Sequence, residues 1–177
     1  MGGMKEGRIL VLTGAGKGKS SSAFGMAFRM AGWGRRVCII QFIKSPDWPT
    51  GEQQAASQHP GMEWHVLGQG FTWNSADLQQ DRQLCRHAWN FSQERIASGD
   101  YDLVVLDEIN IVMGLGWLDG AEVAAFLGSM RPRGVHVVLT GRDAPAEVMA
   151  VADTVTQMVC LRHAFHQGIP AMKGIEF

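Results

Sequence analysis

The sequence predicts a single α/β domain over 1–177, built on a mostly parallel sheet with helices on both faces. Three observations carry that expectation. Several short runs are apolar throughout instead of alternating, which marks strands buried on both faces. Segments of helical period separate them, and parallel strands need such crossovers. The 177 residues, 46% of them hydrophobic, suffice for one substantial core and fall short of two ordinary domains.

Ile9-Leu-Val-Leu-Thr13 is the first strand. A helix is expected from Lys19 to about Ala31, with Ala23, Phe24, Ala27, Phe28 and Ala31 on one stripe and Gly32 and Gly34 as its stop. Val37–Phe42 reads as a second buried strand. Residues 44–61 hold three prolines and little periodicity, so they read as a long connection. Glu63–Leu67 is a third strand, and Ser75–Ser98 a long amphipathic helix with Leu78, Cys85, Ala88, Trp89, Ser92 and Ile96 on its apolar side. Leu103-Val-Val-Leu-Asp107 is a strong strand. A helix over Ala121–Met130, a strand over Val135–Thr140, a short helix over Pro145–Val151 and a last strand over Val155–Leu161 complete the alternation. Ligands of such sheets bind beyond the carboxyl ends of the strands.

Composition excludes several classes. Sixteen Lys and Arg against 17 Asp and Glu give a formal charge of −1, so no net basic field exists to hold nucleic acid or an anionic membrane. The three cysteines, Cys38, Cys85 and Cys160, include no short-spaced pair; they fit neither a disulfide framework nor a structural zinc site and read as free, buried thiols. No apolar stretch near the N-terminus is long enough for export or spanning, which points to the cytoplasm. Glycine, at 22 residues, is the outlier and should mark turns and close backbone approaches.

The densest glycine cluster joins the first strand to the first helix: Thr13-Gly-Ala-Gly-Lys-Gly-Lys-Ser20. This matches a Walker A phosphate loop in all but its first position, where glycine comes one residue late. Such a loop turns backbone N–H groups toward phosphate oxygens, Lys19 supplies a cation, the Ser20 hydroxyl can ligate Mg²⁺, and a helix N-terminus adds its positive end. Downstream, Asp107-Glu108 ends a strand, where a carboxylate of P-loop proteins reaches the metal directly or through water. The fold class thus sharpens to a P-loop NTPase-like (RecA-like) domain that takes a nucleoside triphosphate with Mg²⁺, or Mn²⁺ in its place. No arginine-rich lid for phosphoryl transfer is evident. Gly68-Gln-Gly-Phe-Thr-Trp73 instead sets two aromatics in a glycine-flanked loop, which suits a wall for a large planar ligand.

Taken in order, several stretches resemble the P-loop type of ATP:corrinoid adenosyltransferase. They are 13–20 followed by Ala23-Phe24-Gly25, then Gln41-Phe42-Ile43-Lys44, Gly70-Phe-Thr-Trp73 and Asp107-Glu-Ile-Asn110. Gly134 to Arg142, Arg162-His-Ala-Phe165, Gly168-Ile and Lys173-Gly-Ile-Glu-Phe177 complete the set. The resemblance implies transfer of the 5′-deoxyadenosyl group of ATP to Co(I) of a corrinoid with release of the whole triphosphate. A P-loop ATPase or small-metabolite kinase is the alternative reading.

On this resemblance Gly14, Ala15, Gly16, Lys17, Gly18, Lys19, Ser20 and Ser21 bind the nucleotide together with Glu108 and Arg142. Ser20, Asp107 and Glu108 serve the metal, and Lys19, Phe71 and Trp73 are catalytic. The loop would hold ATP reversed relative to ordinary P-loop enzymes, in keeping with the shifted glycine at Gly14. Phe71 and Trp73 would press on the lower face of the corrin and deny cobalt its lower axial ligand, easing reduction of Co(II). His163 and His166 are expected to be structural or nucleotide-side residues, not cobalt ligands, and the closing segment around Lys173 and Glu176 to line the pocket. A homodimer and a reducing flavoprotein partner are implied as well. Only Met1–Gly7 precede Arg8, too few for the covering N-terminal helix that the resemblance would bring.

Overall fold

A computed structural model describes residues 6–70 and 78–176 of the chain. The expectations placed on Phe71 and Trp73, and the start of the long helix at Ser75, lie outside these residues.

Six strands form one sheet in the order β3-β2-β4-β5-β1-β6: β1 is Ile9–Thr13, β2 Val37–Gln41, β3 Met62–Val66, β4 Leu103–Asp107, β5 His136–Thr140 and β6 Thr154–Gln157. Every pairing is parallel, as the unbroken apolar runs require. The helices are α1 (Lys19–Gly32), α2 (Gly51–Ala56), α3 (Leu78–Ser98), α4 (Ile109–Gly114), α5 (Gly120–Ser129) and α6 (Ala146–Ala150). Strand residues divide with a period of two between two cores. Val37, Ile39, Leu103 and Val105 pack on Ala23, Phe24 and Ala27 of α1 and Ala56 of α2. Cys38, Ile40, Val104 and Leu106 pack on the other face, against Cys85, Ala88, Trp89 and Ile96 of α3 and residues of α4 to α6. Both faces are therefore covered, and the RecA-like α/β expectation holds.

The differences are local and have physical causes. The connection over 44–61 contains α2, opened by Thr50, whose hydroxyl accepts from the Gln53 amide at 3.3 Å. Six residues are too few to show a period, so this helix is invisible in the pattern. The same holds for α4, which starts directly behind Glu108. Leu78 is exposed and does not join the stripe of α3. The last strand is shorter than expected and all four of its residues are exposed, because β6 is an edge with one neighbour. Beyond it Met158 and Val159 leave the sheet and pack on the glycine loop. Cys38 and Cys85 are buried free thiols that burial pushes up to about 12, whereas Cys160 is only half-buried.

Candidate active site

The loop between β1 and α1 is shaped by close backbone approaches. Gly14 (φ 95°) and Gly18 (φ 109°) hold left-handed conformations that other residues reach only with strain. A Cβ on Gly14 would collide with the Met158 carbonyl oxygen and lie 2.9 Å from the Met158 nitrogen. Gly14→Ala should therefore destabilise the fold by about 3 kcal/mol, lowering Tm by roughly 6–12 °C, which thermal unfolding would register. Met158 also donates to the Thr13 carbonyl and accepts from the Gly16 amide, both at 2.8 Å. The Gly16 N–H is thus committed to the protein, so Gly16 builds the loop without lending that donor to a ligand.

The N-terminus of α1 has neither a capping side chain nor an acidic residue in its first turn, unlike α2 and α5, which carry both. Its positive end is left for an external anion. Lys19, nine-tenths buried, lies across the loop and donates from Nζ to the carbonyls of Gly14 (2.8 Å) and Gly16 (2.7 Å). Burial holds its ammonium below the ordinary lysine value, against the opposing pull of Glu108. Ser20 and Ser21 occupy the first turn, and Ala15 and Lys17 face solvent. Lys17 pairs with Glu176 at 3.3 Å, so the C-terminal segment reaches the phosphate loop.

The strand bearing this loop is not beside the strand bearing Asp107-Glu108; β5 lies between them. Thr140, at the end of β5, closes the gap. Its hydroxyl donates to Asp107 Oδ1 (2.8 Å) and accepts from the Glu108 amide (3.0 Å). The two acidic residues then diverge. Asp107 is fully buried, with Oδ2 accepting from Gln41 Nε2 at 2.8 Å and lying 3.4 Å from Lys44 Nζ. Glu108 is held in a left-handed conformation (φ 67°), and its buried Oε2 has no hydrogen-bond partner among the described residues. Burial, then the Asp107 charge, push its carboxyl up to about 7, against Lys44, Lys19 and Arg142. A buried carboxylate oxygen without a donor fits an oxygen ligand for a hard divalent cation. Arg142 follows β5 and is exposed on the same side.

A cavity of about 570 Å³ opens on the same edge of the sheet, beyond β2 and β3. Ser45 and Asp47 line it from beyond β2, Leu67 and Gln69 from beyond β3, and Leu84 and His87 from α3. It adjoins Gly70, whose amide donates to the Ile43 carbonyl at 2.9 Å and which immediately precedes Phe71. His163 accepts from the Phe165 amide through Nδ1 at 3.1 Å and so opens a short 3₁₀ turn. Gln41, Lys44 and Thr140 went unassigned in the sequence. A signal for two of them was present: Gln41 ends an otherwise apolar strand, and Thr140 follows the apolar run Val137-Val-Leu139.

Residues 5–177 match the sequence profile of the family described as ATP:corrinoid adenosyltransferase BtuR/CobO/CobP. The chain belongs to that family. A corrinoid adenosyltransferase of Pseudomonas aeruginosa is 45% identical over 174 residues, covering 98% of this chain and 85% of the relative. One from a Sinorhizobium species is 42% identical over 175 residues (98% and 81%), and one from Escherichia coli K12 is 37% identical over 173 (98% and 87%). Among solved structures, the flagellar accessory protein FlaH from Methanocaldococcus jannaschii superposes with a TM-score of 0.58 at 11% identity, over 88% of this chain and 73% of that one. That likeness concerns the fold alone. The phosphate loop, Glu108 and the cavity of this family member share the carboxyl edge of the sheet, and no helix among the described residues is long and apolar enough to cross a membrane.

Proposed function

We propose that the protein transfers the 5′-deoxyadenosyl group of ATP to the cobalt of a corrinoid and releases tripolyphosphate. The observation that carries this reading is an uncapped phosphate loop and a roomy cavity on the same carboxyl edge of one sheet, the cavity at the ends of β2 and β3, in a chain of this family. Co(I) supplies the electron pair that forms the Co–C bond, the C5′–O bond breaks, and its electrons leave with the triphosphate. No nucleophilic side chain is needed. The chain's contribution is to orient the two substrates and to stabilise charge on the leaving group, with Lys19 and Arg142 facing it. Glu108 and Ser20 would hold Mg²⁺, which when bound neutralises phosphate charge; Asp107, whose oxygens accept from Gln41 and Thr140 and lie beside Lys44, would support them through these neighbours.

The corrinoid belongs in the cavity beside Gly70, with Phe71 and Trp73 against its lower face. A reduced flavoprotein would deliver the electron to Co(II), and the enzyme would work in the cytoplasm. A homodimer is supported by the exposed apolar side chains of the C-terminal segment, Leu161, Phe165 and Ile175. Protein, MgATP and chemically reduced corrinoid should yield tripolyphosphate and a new Co–C absorbance. ADP as the main product would instead indicate a kinase or ATPase. Trp73→Ala should retain activity on preformed Co(I) within about threefold and lose more than roughly tenfold when the assay starts from Co(II). Equal losses in both assays would refute the ligand-excluding role of the loop.

A further inference from the structure

We propose that Lys44 is a second triphosphate-binding cation of this site, and that a chain of side chains running from the half-buried Trp64 through the buried Gln41, Asp107 and Thr140 positions it together with Glu108. The proposal rests on the reading of the glycine loop as an ATP site.

The chain has one direction from end to end. The Trp64 indole can only donate, and it does so to Gln41 Oε1 at 2.9 Å. That fixes the Gln41 amide, whose nitrogen then donates to Asp107 Oδ2 at 2.8 Å. The Thr140 hydroxyl has one proton, given to Asp107 Oδ1, and accepts from the Glu108 amide. Asp107 must therefore accept on both oxygens, which selects an ionised aspartate over asparagine. Gln41, Asp107 and Thr140 are all at most 1% exposed. A charge so deeply buried is costly unless paired, and Lys44 is the cation paired with it.

Lys44 is not itself buried with Asp107. Its side chain is 34% exposed and its ammonium lies 5.6 Å from the ring centre of Phe24, one helical turn beyond Ser20 on α1. Lys19 from the loop, Arg142 from beyond β5 and Lys44 from beyond β2 all act electrostatically on Glu108. Three cations from three separate segments thus converge at the carboxyl edge of the sheet. Lys44 also directly precedes Ser45, the first of the residues that line the cavity.

Calorimetric titration with inorganic tripolyphosphate plus Mg²⁺, and with MgATP, tests the assignment. Lys44→Met should weaken both about 10- to 100-fold, as expected for loss of one charge-assisted contact, and leave the KM for corrinoid within about twofold. Lys44→Arg should recover most of the affinity. Because Lys44→Met strips Asp107 of its cation, thermal unfolding of the variant runs beside the titration, and the loss of affinity should appear in protein that remains folded. Trp64→Phe, which touches no ligand, should raise the KM for ATP roughly three- to tenfold with the corrinoid KM unchanged. Undiminished tripolyphosphate affinity in folded Lys44 variants would overturn the proposal, as would equal rises in both KM values for Trp64→Phe. Wild-type protein that binds neither ligand would overturn the ATP-site reading with it.

Discussion

Lys19→Met should lower kcat/KM for ATP by at least about a hundredfold while leaving the fold nearly as stable as before. The kinetic loss follows from removing a donor aimed at the charge that develops on the leaving triphosphate, a contribution typically of about 2.7–4 kcal/mol. The stability expectation follows from the resting geometry. Among the described residues Nζ bonds to the Gly14 and Gly16 carbonyls alone, and burial already disfavours its charge. Removing a desolvated ammonium offsets the two hydrogen bonds lost with it. Steady-state kinetics and thermal unfolding on one preparation check both halves. Retained kcat/KM, or a collapse of Tm matching the kinetic loss, would mean that Lys19 serves the loop and not the substrate.

Glu108→Gln should show the opposite pairing, with activity reduced about a hundredfold and stability raised. An unfolded glutamate titrates near 4.5 and this one near 7 in the fold, so the folded state holds its proton across that interval. Ionisation therefore weakens the native state as pH rises from about 4.5 to about 7, and the cost is complete above 7. Glutamine carries no charge and escapes that cost. The variant's Tm advantage should be absent below pH 4.5, grow toward 7 and level off above it, at a gain on the order of 1–3 kcal/mol. Unliganded protein followed by thermal unfolding across pH 4–8 would reveal a flat difference if the carboxyl were not buried and strained as the structure places it.

Much of the fold was legible because it depends on local patterns. Ile9–Thr13 and Leu103–Asp107 read as strands since every residue is apolar up to the last, and residues apolar throughout can only be buried on both sides. α2 and α4 escaped because six residues make fewer than two turns, too short for a period to emerge. β6 was read too long because Val159 and Leu161 continue its apolar character, although both side chains are exposed after the chain has left the sheet.

The same division runs through the site. The sequence alone determined the phosphate loop, its lysine and the acidic pair, because a glycine loop between strand and helix carries its chemistry within eight contiguous residues. It also carried the family likeness that residues 5–177 bear out. Only the tertiary structure decided how the acidic pair divides its work. Asp107 and Glu108 are neighbours in the chain, yet one spends both oxygens on Gln41, Thr140 and Lys44 while the other leaves an oxygen unpartnered. That outcome depends on β5 lying between β1 and β4 and on β2 flanking β4, contacts between residues 33 to 66 positions apart. Hydrogen bonds of this reach are set by strand order, and strand order leaves no trace in the local pattern of a sequence.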